Sequence, residues 1–226
     1  MTVNFKEAFI QLYPSLGPAL LTVLEITLFA FVLAFILGFL IALGRLSQNK
    51  ILDRVLLVIV EFIRGTPLLV QCFYIYFVFP ALFKMFGVKV NITAILAGVM
   101  GFGLNYACYM SEVIRSAILA IDNGQMEAGL ALGFKKSQVM MKFIIPNAIR
   151  NSIPVFGNYI ITMIKDTSIL ASISAAELLL VTKNYAAKTF QTIESYTILA
   201  LLYLVISLPL SQIVRSLEKK LNRSKR

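Results

Sequence analysis

Residues 18–44 form an apolar run that contains a single charged side chain, Glu25. A helix rises 1.5 Å per residue, and about 20 apolar residues cross the hydrocarbon core of a bilayer. The run therefore predicts a membrane-spanning helix. Composition extends this to the whole chain, because 59% of its 226 residues are hydrophobic and 14% are charged, against roughly 45–50% and about 25% in soluble domains. The sequence predicts an all-α integral membrane protein.

The chain reads as one membrane domain, residues 1–226, with five spans. They are expected at about 18–44, 55–83, 92–118, 152–172 and 193–214, with a long loop at 121–150. The second span is irregular, since Gly65 and Pro67 interrupt its helical hydrogen bonding at membrane depth. Lipid tolerates such a break only where protein or a water-filled cavity covers the backbone.

The positive charges are unevenly distributed over the loops. Under five spans, one side collects 13 Lys or Arg residues from 45–54, 121–150 and the tail, and the other side collects five. The positive-inside rule then places the C-terminus in the cytoplasm and the N-terminus outside. The net charge of +10 is thus a topology signal and does not indicate nucleic-acid binding. The basic tail is expected near anionic lipid.

Catalytic signals are absent from the sequence. It contains no His, which is the commonest catalytic base and metal ligand. Cys72 and Cys108 lie in apolar runs and are expected to be small buried hydrophobic residues. No phosphate-binding loop of the GxxxxGK[ST] kind is present, so the chain is not expected to hydrolyse a nucleotide. We expect no enzyme activity, no metal and no cofactor on this chain.

Several ionisable residues fall within the predicted spans. Glu61 and Arg64 are three positions apart, as are Glu112 and Arg115, so each pair shares one helical face. Such residues are costly in lipid and face the interior of a bundle. Two interpretations stay open for both pairs, a structural pairing that locks helices together and a transport pathway.

A second polar group, Asp166 with Thr167 and Ser168, favours function over structure. These residues fall deep in the predicted fourth span. A carboxylate and two hydroxyls at this depth can bind an ammonium group, which indicates a site for a small charged solute.

The stretch from Asn123 to Pro146 is polar enough to lie outside the membrane. It begins with the turn signal Asp122-Asn123-Gly124, and Gly133 is placed where a helix ends in a left-handed cap. Two interpretations are open at this point, a helix that docks in a groove of another protein and an interfacial helix that lies on lipid. The first fits a subunit driven by a soluble partner, and the second also fits a channel or self-sufficient carrier.

The same stretch resembles the signature loop of ATP-binding-cassette importer permeases. The residues that match are Glu127-Ala128-Gly129, then Gly133, and finally Pro146 at the family spacing. Three further segments resemble the polar-amino-acid branch of that family: FIRGTPLLVQ from residue 62, SEVIRSAI from residue 111 and IKDTSI from residue 164. Together these motifs are specific, and the resemblance covers nearly the whole chain.

The resemblance implies a type I importer permease fold with a cytoplasmic coupling helix, in a bacterial inner membrane. It implies two ATPase subunits that carry ATP and Mg²⁺, a second permease chain (identical or a sister) and an extracytoplasmic solute-binding protein. The ATPase-coupling residues would be Glu127, Ala128, Gly129, Leu130, Gly133 and Pro146. Small Ala128 and Gly129 would allow a close fit to the ATPase, while Met126 and Leu130 would fill its groove.

The resemblance also implies a polar amino acid as substrate. The residues expected to line a mid-membrane site are Asp166, Thr167, Ser168, Gly65, Thr66, Tyr106 and Tyr109. Free amide and carbonyl groups at the broken second span would meet the two charges of a zwitterion. The alternatives are the same machinery for another small polar solute, such as an opine or a cystine-like compound, and a stand-alone channel.

Overall fold

A computed structural model describes residues 4–223, and all regular structure in that range is helical. Two π-helical turns, Tyr74–Val78 and Met140–Ile144, and one 3₁₀ turn, Thr167–Ile173, connect α-helical segments. The helices are α1 Phe5–Arg45, α2 Lys50–Arg64, α3 Leu68–Phe73, α4 Phe79–Met85, α5 Ala94–Leu119, α6 Asn123–Ala131, α7 Lys136–Val139, α8 Ile145–Asp166, α9 Leu178–Thr189 and α10 Thr192–Arg223.

Within residues 4–223, four helical segments are long and apolar enough to cross a membrane. They are Phe5–Arg45, Leu68–Met85, Ala94–Leu119 and Thr192–Leu221. The predicted fourth span, 152–172, falls on α8 and the 3₁₀ turn. With 22 residues α8 is about 33 Å long, but it is more polar than those four. The count of five spans therefore stays a prediction.

The first helix is longer than the sequence indicated. It begins at Phe5, where we expected a span from residue 18, and its 41 residues extend about 60 Å. Pro14 and Pro18 lie inside it without ending it. The reason is packing, because buried Leu12 and Leu16 lie in an apolar cluster with residues of α9 and α10. The N-terminal half of α1 thus belongs to one core, and its C-terminal half belongs to another.

That C-terminal half packs along α5 through small residues. Ala30, Ala34, Gly38 and Ala42 recur every four positions and are all buried. A Cβ added at Gly38 would lie 2.8 Å from the carbonyl oxygen of Ala107, so the two backbones nearly touch. Close approach through small residues is how helices associate where lipid removes the hydrophobic driving force.

The predicted break in the second span is confirmed. The chain leaves helical geometry after Arg64 and resumes it at Leu68, with Pro67 in extended conformation at the start of α3. The segment expected as one span at 55–83 is therefore divided between two helices, since α2 ends at Arg64 and the part that is long and apolar enough to cross a membrane begins at Leu68. The bounds of the second span stay a prediction. Pro67 lacks an N–H and fixes its own φ, which suits the first turn of α3.

Both π-helical turns end just before a proline. Pro80 is the second residue of α4, and Pro146 is the second residue of α8. In a continuous α-helix a proline ring clashes with the carbonyl four residues earlier and leaves that carbonyl without a donor. A π turn widens the helix at that place, which accommodates the ring. Pro146 thus lies in the first turn of α8, within a continuous helical run that begins at Lys136.

Candidate functional site

The coupling residues predicted from the sequence lie on and beside α6. Asp122 caps this helix at the turn that the sequence predicted, since its Oδ1 accepts a hydrogen bond from the Gly124 N–H at 2.6 Å. Glu127, Ala128 and Ala131 are exposed and lie on the side of α6 that faces away from the bundle. We refer to these three residues, with flanking Leu130 at 46% exposure, as the α6 face. Two small residues at its centre leave room for a close partner.

Gly129 does not belong to the α6 face, which corrects our expectation that it contacts the ATPase. It is buried, and a Cβ added there would lie 2.6 Å from Cγ2 of Val139. Its neighbour Met126 is half-buried and packs against the main core. The glycine at this motif position therefore lets α6 lie against α7 of the same chain, and Met126 anchors it there.

Gly133 ends the segment in the left-handed conformation that the sequence predicted. Its φ is +83°, a value that costs a residue with a Cβ roughly 1–2 kcal/mol. The reversal lets the Phe134 N–H donate to the Gly129 carbonyl at 3.1 Å, and the Gly133 N–H donate to the Leu130 carbonyl at 2.9 Å. These bonds satisfy carbonyls at the end of α6 and turn the chain into α7.

A second polar region lies inside the bundle, between α5 and α8. The Tyr106 hydroxyl donates to Asp166 Oδ2 at 2.7 Å. The Tyr106 ring lies 6.4 Å from that of Tyr109 and 5.7 Å from that of Tyr159, between centroids. Tyr106 is almost fully buried, so the cluster is a fixed wall. Asp166 Oδ1 receives no hydrogen bond from the part of the chain that the structure describes.

Arg64, at the end of α2, closes the other side of this cluster. Its guanidinium carbon lies 5.1 Å from the centre of the Tyr109 ring, within the range of a cation–π interaction. Arg64 also pairs with Glu61 at 3.4 Å, as the spacing predicted, although this pair is largely exposed. We call Arg64, Tyr106, Tyr109, Tyr159 and Asp166 the tyrosine site. It has a cation at one side and a carboxylate at the other.

The structure separates other predicted cargo-site residues from the tyrosine site. Thr167 is fully buried and its hydroxyl donates to the Ile164 carbonyl at 2.7 Å, so it does not line a pocket as expected. The Ser168 hydroxyl is half-exposed and donates to the Lys165 carbonyl at 2.9 Å. A hydroxyl following a helix C-terminus finds a free backbone carbonyl close by, which explains both bonds.

The broken helix offers fewer free backbone groups than expected, because Gln71 occupies them. Its Nε2 donates to the carbonyls of Ile63 at 2.7 Å and Thr66 at 3.1 Å, and also contacts the Thr66 hydroxyl. The Gly65 N–H donates to the Glu61 carbonyl at 2.8 Å. Gly65 and Thr66 therefore keep few of the open amides and carbonyls that were expected to meet a ligand, and their contact with a ligand stays a prediction.

Gln71 also ties this turn to the bundle. Its Oε1 accepts a hydrogen bond from Asn105 Nδ2 at 3.2 Å, and Asn105 directly precedes Tyr106 in α5. The turn that carries Arg64 is thus fixed relative to the helix that carries the tyrosines. The sequence analysis missed this role for Gln71 and Asn105. A polar amide one turn beyond a Gly-x-Pro break, in an apolar run, is the signal that was available.

The second predicted pair, Glu112 and Arg115, belongs to a larger network. Arg115 Nη2 lies 3.1 Å from Glu112, and Arg45 at the end of α1 contacts Glu112 on its other side. Arg45 also reaches Asp53 of α2 at 3.3 Å. This network ties α1, α2 and α5 together at one end of the bundle, which favours the structural interpretation of this pair.

Glu177 is a fully buried carboxylate that the sequence analysis did not single out. It caps α9, where it accepts hydrogen bonds from the N–H groups of Leu179 and Leu180 at 2.8 and 2.7 Å. Burial raises the pKa of Glu177, and these two hydrogen bonds partly offset that effect. Tyr203 of α10 lies within 3.5 Å of the same carboxylate. Among residues 4–223, no group of three or more His, Cys, Asp or Glu could hold a metal ion.

Comparisons of this chain with known proteins all point to the same family. Residues 34–223 match the model of the binding-protein-dependent transport system inner membrane component. The chain is 36% identical to the probable amino-acid ABC transporter permease protein PatM of Vibrio harveyi, over 95% of both chains. It is 35% identical to the L-cystine transport system permease protein TcyB of Bacillus subtilis, over 93% of this chain and 88% of the relative.

A solved structure shares the fold. The crystal structure of an amino acid ABC transporter with histidines contains a chain that is 35% identical, with a TM-score of 0.86, over 97% of this chain and 100% of that one. The similarity therefore extends over nearly the whole chain.

Proposed function

The chain belongs to the family of binding-protein-dependent transport system inner membrane components, and from that premise we propose that it forms the membrane pathway for a polar amino acid. Membership makes the chain a transport subunit of an ABC importer and not an enzyme. It is a multi-pass protein of the inner membrane with the type I permease fold. An importer of this kind works with an ATPase and a solute-binding protein. The alternative of a stand-alone channel is thereby excluded.

The observation that carries the cargo proposal is the polarity of the tyrosine site. Arg64 offers a guanidinium, which binds carboxylates through paired hydrogen bonds. Asp166 offers a carboxylate whose Oδ1 is unoccupied by the described residues. Both flank a wall of three tyrosines on α5 and α8. A free amino acid carries a carboxylate and an ammonium group, and the site offers a guanidinium for the first and a carboxylate for the second.

The names of the relatives support the same cargo class. PatM is called an amino-acid permease protein, and TcyB an L-cystine one. Cystine carries the same α-ammonium and α-carboxylate groups, so the cystine-like alternative uses the same two contacts. The tyrosine site thus accounts for recognition of the α-ammonium and α-carboxylate groups that such solutes share. The side chain of the solute would be contacted elsewhere in the pathway.

The working unit would contain two permease chains, identical or sisters, and two ATPase subunits. ATP and Mg²⁺ would bind to the ATPases, which would contact the α6 face. The C-terminus would be cytoplasmic and the N-terminus outside, in line with the excess of Lys and Arg on that side. ATP would bind one conformation more tightly than the other and so drive the alternation of access.

The test is amino-acid uptake by the complete importer in proteoliposomes with Asp166→Asn. The substitution removes the charge that would meet the ammonium group while keeping the shape. Loss of a charged hydrogen bond is worth about 1.5–3 kcal/mol, so we expect the KM for uptake to rise at least tenfold. ATP hydrolysis stimulated by the binding protein should continue.

The matched control is Lys165→Gln, which removes a neighbouring exposed charge on α8 and should leave the KM unchanged. Equal uptake by Asp166→Asn and the wild type would refute the cargo site while leaving the family assignment intact. An equal rise in KM in both variants would mean that the loss comes from the change in net charge and not from a contact with Asp166.

A further inference from the structure

One side of α8 carries a row of exposed polar side chains. Its members follow one another at intervals of about one turn, two turns and one turn, and they are Asn147, Asn151, Asn158 and Thr162. They therefore lie on the same side of the helix, and we call them the polar stripe. From its first to its last residue the stripe extends about 22 Å at 1.5 Å per residue. It includes every asparagine of α8.

The opposite side of α8 is apolar and contacts other helices. Ile149, Ile153 and Ile160 line a groove between α8, α1 and α10. On the same side, a Cβ added at Gly157 would lie 2.6 Å from Cγ2 of Val214 in α10, so the two helices approach closely there. One side of α8 is thus packed against its own bundle, whereas the residues that the structure describes leave the polar stripe uncovered.

The exposed sides of the neighbouring helices have a different composition. Both α1 and α10 expose large apolar side chains, such as Leu28, Val32, Ile36, Leu204, Val205 and Leu208. Apolar side chains suit lipid, whereas amide groups are costly there. Because α8 packs against α5 and α10, which are both long and apolar enough to cross a membrane, the stripe lies within the membrane part of the bundle. The stripe is therefore expected to face water or protein and not lipid.

The side chains of the stripe have unused hydrogen-bonding capacity. Among residues 4–223, the amides of its three asparagines form no hydrogen bond, and the Thr162 hydroxyl donates to the Asn158 carbonyl at 3.0 Å. A close-packed protein partner would bury these amides and would need a matching donor and acceptor for each of them. Water satisfies them without such a match. This favours a water-filled space beside the stripe over a packed interface.

The stripe adjoins the tyrosine site. Tyr159 follows Asn158 directly in the chain, and Asp166 lies about one turn beyond Thr162. In the other direction the stripe ends at Asn147, the third residue of α8, beside the π-helical turn that connects α8 to α7. One end of the stripe is thus at the tyrosine site, and the other end is on the side of the bundle where α6 and α7 lie.

We propose that the polar stripe lines the water-filled path by which the amino acid passes between the tyrosine site and the α6 side of the bundle. This inference rests on the proposed cargo site. Each asparagine amide offers a donor and an acceptor, so it can contact both the carboxylate and the ammonium group of the solute. A neutral amide binds these groups less strongly than Arg64 or Asp166 does, and a passage must bind its solute weakly enough to release it.

The experiment measures the access of water to single cysteines on α8. Asn151→Cys, Asn158→Cys and Ile153→Cys are introduced separately into the complete importer in proteoliposomes. A charged methanethiosulfonate reagent that does not enter lipid is present on both sides of the membrane. Cys72 and Cys108 are buried, so the wild-type chain gives the background rate. The reactive thiolate needs water, so Asn151→Cys and Asn158→Cys should react about tenfold faster than Ile153→Cys, or more.

Ile153 is the matched control, since it lies between the two asparagines along α8 and is 38% exposed on the opposite side. Equal rates at all three positions would overturn the proposal. Slow labelling of Asn151→Cys and Asn158→Cys, with oxidative cross-linking of two permease chains through Asn158→Cys, would overturn it in favour of a packed second copy. Labelling requires no cargo, so its result does not depend on the cargo site.

A second measurement tests the passage of the solute. The double variant Asn151→Leu, Asn158→Leu removes the two amides and leaves Arg64 and Asp166 in place, so the maximal rate of uptake should fall several-fold while KM changes little. Ile153→Leu is the control and should transport at the wild-type rate. A normal maximal rate in the double variant would overturn the proposal. A reduced rate there, with wild-type uptake in Asp166→Asn, would support the path and refute only the cargo site.

Discussion

The α6 segment, from Asp122 to Val139, takes its shape from residues within that stretch, whereas the tyrosine site draws its side chains from three helices, at positions from 64 to 166. In the first region a glycine, a left-handed turn and a valine decide the geometry locally. In the second, Arg64 and Asp166 reach a common wall only because α2, α5 and α8 pack together. One region is an exposed surface, and the other is an interior wall.

This contrast separates the two tasks of an importer subunit. A surface with small exposed residues can be covered by a partner without disturbing the bundle behind it. An interior site changes shape whenever its helices move relative to one another, so it suits a substrate that must be bound in one state and released in another. We therefore expect substitutions in the two regions to affect different measured quantities.

The largest effect is expected on the α6 face. Ala128→Trp places a bulky side chain at the centre of a surface that requires close approach, so it should reduce stimulated ATP hydrolysis by more than tenfold. A hot-spot residue near the centre of an interface costs about 2 kcal/mol or more when it is changed. Ser137→Trp, an exposed position in α7, serves as the control. If both variants hydrolyse ATP at the wild-type rate, the α6 face is not the contact surface.

A somewhat smaller effect is expected from Gly129→Ala, through a different cause. Alanine favours a helix by up to about 1 kcal/mol over glycine, but its Cβ would collide with Val139. The variant should displace α6 and lower stimulated ATP hydrolysis several-fold. Adding Val139→Ala removes the collision and should restore most of the activity. Failure of this second substitution to rescue would mean that Gly129 contacts the partner directly.

Gln71→Leu should have an intermediate effect on the tyrosine site. It removes the donor that holds the Ile63 and Thr66 carbonyls, and each unpaired buried group costs about 1–3 kcal/mol. Arg64 then loses its fixed position, so the KM for uptake should rise. The Gln71→Glu variant keeps a polar side chain of the same length but lacks the N–H donor, so its KM for uptake should rise in the same way. Unchanged transport in Gln71→Leu would show that the turn is held by other contacts.

The smallest effect is expected from Tyr106→Phe, which deletes one hydrogen bond to Asp166 and keeps the ring. A single such bond to a charged group is worth about 1.5–3 kcal/mol at most, and a bound ammonium group could replace it. We expect a change in KM below tenfold, measured beside Tyr109→Phe, whose hydroxyl forms no hydrogen bond with the described residues. If KM rises more in Tyr106→Phe than in Asp166→Asn, the Tyr106 hydroxyl and not the Asp166 carboxylate is the main contact of the substrate.

The sequence predicted the α6 segment well because its determinants are local. The turn at Asp122 and the left-handed Gly133 follow from residue type and spacing, and both are confirmed. Gly129 was misassigned because its neighbour, Val139, lies beyond the turn. Pattern alone shows that a position must be small, but it does not show which side of the helix requires it.

The tyrosine site was predicted only in part, and the misses have a common cause. Asp166 and the two tyrosines of α5 were expected together, and the structure brings them together. Thr167 was placed there because it follows Asp166, yet the 3₁₀ turn buries it. Arg64 was considered only with Glu61, its neighbour in the chain. Contacts between helices cannot be read from spacing within one helix.

The measurement that tests the account most directly records uptake and ATP hydrolysis on the same proteoliposomes, for Ala128→Trp and Asp166→Asn. The account predicts that Ala128→Trp loses both activities while the permease remains in the membrane. It predicts that Asp166→Asn retains stimulated hydrolysis and loses uptake at low substrate concentration. A parallel loss of both activities in Asp166→Asn, or normal hydrolysis in Ala128→Trp, would contradict the division between a contact surface and a cargo site.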